Sequence, residues 1–355
     1  MMNTGTRILS AALVAWLVLA AWSFAQVESN QSLNLLVSND LLASPATCHT
    51  GDIVFRNRLG GMCFTATADM IAMQRANFHS FTLLSNGRGG TEALNANELN
   101  FEMRTGPKLN LILHEVLFGN DLEIGYMFID GYSLSKSTME SSGPLFFNGP
   151  LGTTETPPSG PLLLRRPGEI RFDYISRIYS AEANLRHDIL PRVWLLAGFR
   201  YVDLHEQLGG TAMVSGQGET PFITSNIDNH LYGGQLGAGV QILKLGEKIM
   251  LVGVGKAGMF SNQSDLTLFG GNEGDAVGGV KGQLAFLGEV DLVGSYCITE
   301  NIAVRLGYQA MWLSGVGTAS DQLDLANGPT APAWHPNTQS SLFYHGAFLG
   351  LEISF

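Results

Sequence analysis

Residues 344–355 read YHGAFLGLEISF, and the alternation within them decides the fold. Phe355, Ile353, Leu351, Leu349 and Ala347 occupy every second position. Ser354, Glu352, Gly350 and Gly346 lie between them, with Phe348 the one large apolar exception. Side chains of a strand alternate between two faces, so the segment predicts a strand with one greasy face and one small or charged face. Ending such a row on an aromatic suits the closing strand of an outer-membrane β-barrel. Phe355, Ile353, Leu351 and Leu349 are then the expected signal to the barrel-assembly machinery.

Bulk composition agrees. The 355 residues are 45% hydrophobic and 14% charged, and they include 43 glycines. That is well above the roughly 7% glycine of average usage, and the glycines are scattered through apolar segments, as bent, closely packed strands require. A net charge of -11 argues against a nucleic-acid partner. Arg7, the apolar run Ile8–Ala21 and Ser23-Phe24-Ala25 predict a cleaved signal peptide over residues 1–25. The run is too short for a spanning helix, which needs about 20 residues. No other segment is long and apolar enough to span as a helix, so a membrane-embedded chain must be a barrel, which also satisfies every backbone polar group. Residues 26–61 read as a periplasmic lead-in and 62–355 as the barrel. Of Cys48, Cys63 and Cys297, the first two would close a short loop if oxidised. No set of ligands at metal spacing occurs, and no cofactor is expected.

Alternation places strands at Met62–Arg75, 95–117, Asp121–Asp130, Phe172–His187, Pro191–His205, Asn229–Leu243, Glu247–Ser261, Gly282–Ile298, Asn301–Leu313 and the closing segment. Gly106-Pro107 looks like a turn, but Leu99, Phe101, Met103, Leu109, Leu111 and Leu113 keep one parity across it, which predicts a single bent strand. The connections then alternate long (76–94, 131–171, 206–228, 262–281, 314–340) and short. Ten antiparallel up-and-down strands with long extracellular loops and short periplasmic turns follow; Ile53–Arg58 would supply an extra strand in a twelve-stranded alternative.

The stretches ELNFEMRTGPKLNL (98–111), SAEANLRHDILPRVWLLAGFRYVDLHE (180–206), NHLYGGQLGAGVQIL (229–243) and the closing strand resemble an outer-membrane beta-barrel porin family of planctomycete-type bacteria. The resemblance implies an exported outer-membrane barrel and brings no catalytic residues.

By parity, the inward face collects Asp69, Glu98, Glu102, Glu123, Glu182, Glu289, Asp291 and Glu352, together with Arg75, Arg104, Lys108, Arg186, Arg192, Arg200, Lys256 and Arg305. Such a balanced lumen predicts an ion-pair network first and a selectivity filter second. In particular, Arg305 is expected to pair with Glu352, or else with Asp291. The outward face is poor in charge except near strand ends. Arg177 sits deeper than that pattern allows, which would move the start of its strand later. Phe128, Tyr201, Tyr232 and Trp312 at one end, and Tyr296 and Phe355 at the other, predict two aromatic girdles against membrane lipid. About eight strands enclose a space that side chains fill, so ten predict a narrow lumen. A narrow or gated channel for small solutes is the leading expectation, ahead of a plugged barrel with functional surface loops. A rim hydrolase built on Asp228-Asn229-His230 or on Ser341 with His345 ranks last, because spacing alone brings no base to a nucleophile.

Overall fold

A computed structural model describes residues 63–77, 80–86, 90–139, 145–149, 162–163, 169–214, 218–270, 276–324 and 335–355. The expected signal peptide, the lead-in, the strand at Ile53–Arg58 and Cys48 lie outside the described residues. The strands are β1 (Phe64–Asn77), β2 (Thr82–Asn86), β3 (Thr91–Asn95), β4 (Arg104–Leu117), β5 (Asn120–Met139), β6 (Leu145–Phe147) and β7 (Leu162–Leu163). They continue with β8 (Glu169–Leu190), β9 (Val193–Val214), β10 (Gly218–Leu245), β11 (Ile249–Gly270), β12 (Ala276–Cys297), β13 (Ile302–Val316) and β14 (Ser340–Ser354). Ten of them close into an antiparallel barrel in the ring order β1-β14-β13-β12-β11-β10-β9-β8-β5-β4, while β3-β2-β6-β7 form a separate four-stranded sheet.

The closing strand seals the ring. Phe64 and Phe355 exchange backbone hydrogen bonds of 2.8 and 2.9 Å, and their rings lie 5.6 Å apart. The short connections 118–119, 191–192, 246–248 and 298–301 all fall at this end, which we call the turn end. Cys63 lies there as a free thiol while Cys297 is disulfide-bonded, so the short Cys48–Cys63 loop that the spacing allows is not closed.

Along each strand the two faces trade character. On β9 the outward residues from the turn end are Val193, Leu195, Ala197, Phe199 and Tyr201, followed by Asp203, His205 and Gln207. The inward residues run the other way: Arg200 is buried among polar groups, then Val202, Leu204 and Leu208 are buried in an apolar core. β10 repeats the switch, with Leu236 and Tyr232 outward below His230 and Asp228, and Gln235 inward below Leu231 and Ile227. At the changeover outward aromatics meet in pairs, Phe128 on Tyr179 at 4.5 Å and Tyr201 on Tyr232 at 5.7 Å, with Trp312 opposite Phe343. From Ile302 to Trp312 the apolar face of β13 covers ten residue steps. Ten steps are about 33 Å of strand, or about 25 Å after a tilt near 40°, the height of an outer-membrane apolar band. Below the girdle the wall is that of a membrane barrel; above it, that of a water-soluble one.

The upper wall corrects several expectations. Segments read as loops continue as strand: β5 to Met139, β8 from Glu169, β9 to Val214, β10 from Gly218, β11 to Gly270 and β12 from Ala276. On β5 a bulge between Ile129 and Tyr132 makes the extension possible, with Gly131 at φ 80°, where a side chain would be strained. The bulge turns both Ile129 and Tyr132 inward. Arg177 is outward but above the girdle, 2.9 Å from Asp130, so its strand starts earlier than expected rather than later. The 95–117 strand is also shorter. Gly106-Pro107 lies within β4, not in a turn, because the close approach of β5 leaves no room for a Cβ at Gly106, which would meet the Phe128 carbonyl oxygen. Asn95, however, caps a 3-10 turn (Ala96–Glu98), and the chain then dips inward, burying Leu99 and Phe101 in the core instead of continuing the expected strand.

Candidate functional site

Below the core, charged side chains cross the lumen in a continuous layer. Lys108 on β4 reaches Asp291 on β12 at 2.9 Å and Gln309 at 3.3 Å. Glu289, two residues from Asp291, pairs with Arg200 on β9 at 2.8 Å. Arg200 also lies 3.7 Å from Glu182 and donates to Ser180 at 2.8 Å. Glu182 in turn contacts Lys256 on β11, which pairs with Glu123 on β5 at 3.1 Å. Arg200 and Glu182 lie on neighbouring strands, but the Lys108–Asp291, Glu289–Arg200, Glu182–Lys256 and Lys256–Glu123 pairs join strands three or four places apart in the ring, so the layer spans the lumen as a septum. Arg305 sits at its edge between Asp69, 3.6 Å away, and Glu352, 3.7 Å away. Phe348, the exception in the closing strand, lies on the inward face with Gly350 and Glu352, and two cations sit over its ring: Lys108 at 4.8 Å and Arg305 at 6.0 Å.

A cavity of about 130 Å³ adjoins the septum, reaching down to Thr65 and Met250 near the turn end. Its lining includes Asp69, Glu123, Glu182, Glu289, Asp291 and Glu352, and Lys108, Arg186, Arg200, Lys256 and Arg305. Eleven of the sixteen charges expected in the lumen therefore converge on one space. The other five do not. Glu98 is an exposed member of the capping box, 3.4 Å from Lys136, and Glu102 is exposed, because the chain leaves the strand before Arg104. Arg104 starts β4 away from the cavity and donates to the exposed Ser133. Arg192 is exposed in a turn, and Arg75 lies higher, in the apolar core.

Above the septum the lumen is filled. The segment Val316–Asp324 folds inward and is buried throughout, although five of its residues are polar. Wall side chains hold its backbone. Asn229 donates to the Gly317 carbonyl and accepts from the Gly317 N–H, both at 2.8 Å, and Asn262 donates to the Gly315 carbonyl at 2.9 Å. Glu206 accepts from the Ala319 N–H at 2.9 Å and from the Tyr174 hydroxyl, and it forms a buried ion pair with Arg75. The small sheet adds Phe147, whose ring lies 5.2 Å from Phe222 and 6.3 Å from Phe172. Sequence reasoning missed Glu206, Asn229 and Asn262 as inward groups. Glu206 follows Arg200 at even spacing, so extending that parity past the expected strand end would have found it.

The rim residues weighed for hydrolysis do not assemble a site. Asp228 is bonded to His205, and His230 lies 3.6 Å from Asp203 and 3.2 Å from the Tyr201 hydroxyl, all facing outward. Asn229 faces inward on the buried segment. His345 is engaged by the Tyr308 hydroxyl at 2.7 Å, and Ser341 pairs across the ladder with Ser314.

Residues 86–355 match the model of a family described as putative beta barrel porin-7. No curated protein matches the chain in sequence. Among solved structures, the outer membrane protease OmpT of Escherichia coli is similar at 12% identity and a TM-score of 0.44, covering 83% of this chain and 96% of its own. The toluene transporter TodX of Pseudomonas putida is similar at 10% identity and a TM-score of 0.26, covering 88% and 92%. A FadL homologue of Pseudomonas aeruginosa has 9% identity and a TM-score of 0.29, covering 83% and 90%. Likeness this distant carries no argument about activity.

Proposed function

The chain belongs to that beta barrel porin-7 family, and on this premise we propose that it is a gated outer-membrane channel for small solutes, here in its closed state. The observation that carries the reading is the Val316–Asp324 segment. A permanent plug gains most from apolar side chains, whereas this one is polar and attached through side-chain hydrogen bonds from Glu206, Asn229 and Asn262. The bonds from Asn229 and Asn262 contribute about 0.5–1.5 kcal/mol each net, and the one to the Glu206 carboxylate about 1.5–3 kcal/mol, so the attachment is reversible. Below it, the charged cavity offers small polar solutes a water-compatible entrance. We take the signal peptide to export the chain, the closing strand to engage the assembly machinery, and the outward band to face outer-membrane lipid.

Planar-bilayer recording of the refolded protein tests this. The wild type should give infrequent small openings, and Asn229→Ala, which removes both bonds to Gly317, should raise their frequency severalfold. Silence from the wild type, from Asn229→Ala and from a chain lacking 317–324 would favour the second reading, a plugged barrel that acts through its surface loops. The apolar core of the upper half is what recommends that alternative.

A further inference from the structure

We propose that the cavity below the septum is a binding site for a small zwitterion, a solute carrying one ammonium and one carboxylate; its role as cargo rests on the channel reading above. Arg186, on β8, forms the first pole. Its side chain is 3% exposed and its guanidinium lies 4.1 Å over the Trp194 ring. The nearest carboxylate, Asp188, is 3.7 Å from Nε, beyond hydrogen-bond reach, and neither Nε nor Nη2 makes a hydrogen bond. A buried planar fork with free N–H groups is built to take a carboxylate.

The second pole lies across the cavity, on β1, separated from β8 in the ring by β4 and β5. The Asp69 side chain is 1% exposed, and neither of its oxygens accepts a hydrogen bond; its nearest cation, Arg305, stands off at 3.6 Å. Asp291 Oδ1 is likewise without a donor, its other oxygen being held by Lys108.

The charge count points the same way. Six carboxylates and five bases line the cavity, and with Arg186 set aside the carboxylates outnumber the bases by six to four. A simple anion would satisfy Arg186 and be repelled by the acidic wall. A simple cation would satisfy the acids and leave the buried Arg186 with no partner nearer than the partly exposed Asp188 carboxylate, 3.7 Å away, which is costly. A molecule with both charges relieves both poles at once.

Isothermal titration of the refolded full chain in detergent tests the site with glycine, 4-aminobutyrate and 6-aminohexanoate, and with butyrate and butylammonium as single-charge controls. At least one amino acid should bind about tenfold or more tighter than either control, as a charged hydrogen bond at each pole implies. Arg186→Gln should abolish the preference over butylammonium, and Asp69→Asn the preference over butyrate, in protein shown to be folded by its heat-modifiable migration. If Asp69→Asn does not fold, Asp291→Asn takes its place. Equal binding of amino acids and controls, no binding of any amino acid, or a preference untouched by Arg186→Gln would overturn the proposal. Because binding is read at equilibrium, a barrel that binds but never conducts would overturn the channel reading and leave the site intact.

Discussion

Arg75 and Glu206 meet across the barrel from β1 and β9, with both side chains wholly excluded from solvent. Phe101 and Tyr174 enclose the guanidinium, their ring centres 5.0 and 5.6 Å from it, and Glu206 also holds the buried segment through Ala319. Removing one partner strands the other charge in an apolar core, at a cost of about 3–5 kcal/mol. Glu206→Ala should therefore destabilise the barrel more than the double change Arg75→Met/Glu206→Leu. Denaturant unfolding of the three proteins checks the order, and a double change at least as harmful as the single would refute it.

Arg305 stands between two carboxylates, not one. Removing it leaves Asp69 and Glu352 facing each other without their shared cation. Arg305→Ala should thus be more damaging than Glu352→Ala, and adding Glu352→Ala to Arg305→Ala should recover about 1 kcal/mol, within the usual range for coupled neighbours. Strictly additive effects on unfolding would rule out the coupling.

His205 and Asp228, above the girdle, form a pH-dependent pair. The hydrogen bond to Asp228 raises the His205 pKa above its ordinary 6.5, against some loss from partial burial. The same bond lowers the Asp228 pKa below 3.8. Because the folded state holds the His205 proton more tightly, its stabilisation is complete below pH 6.5 and fades as pH rises through the elevated folded value. The Asp228 share is complete above pH 3.8 and fades as pH falls through the depressed value. Melting temperatures of the wild type and Asp228→Asn should therefore converge between neutral and mildly alkaline pH. A constant difference across that range would exclude the pair as its source.

Phe355 closes the β1–β14 seam through both backbone and ring contacts with Phe64. Deleting it should lower the heat-modifiable, membrane-assembled fraction severalfold without changing synthesis. Normal assembly of the truncated chain would count against a role for the residue.

The ring of ten strands and most of the cavity's charges were legible because, below the girdle, inside and outside differ as the period-two reading assumes. Above it the reading failed for a physical reason. At Leu204, His205, Glu206 and Leu208 the apolar residues have moved to the inner face, so the row followed from Leu195 to Tyr201 stops and the segment looks like loop. Phe101 was misplaced for a related reason: its parity continues the strand, but a 3-10 turn carries it into the core. The Gly131 bulge shifts the register of β5, and its one mark in the sequence, an isolated glycine, is lost among the many glycines of the strands. The septum itself depends on pairs such as Lys108 with Asp291, whose strands are far apart in sequence and lie on facing arcs of the ring.

The exchange of faces at the girdle implies that this chain folds in two solvents. The upper wall, polar outside with a dry interior, can collapse in water before any lipid is met, while the lower wall gains its stability only on insertion. An aspartate placed outward at Gln207 would therefore be nearly neutral, whereas one at Leu195, twelve positions earlier on the same strand and face, would oppose the final step of biogenesis. Among outward positions, tolerance to substitution should follow height above the bilayer, not sequence neighbourhood.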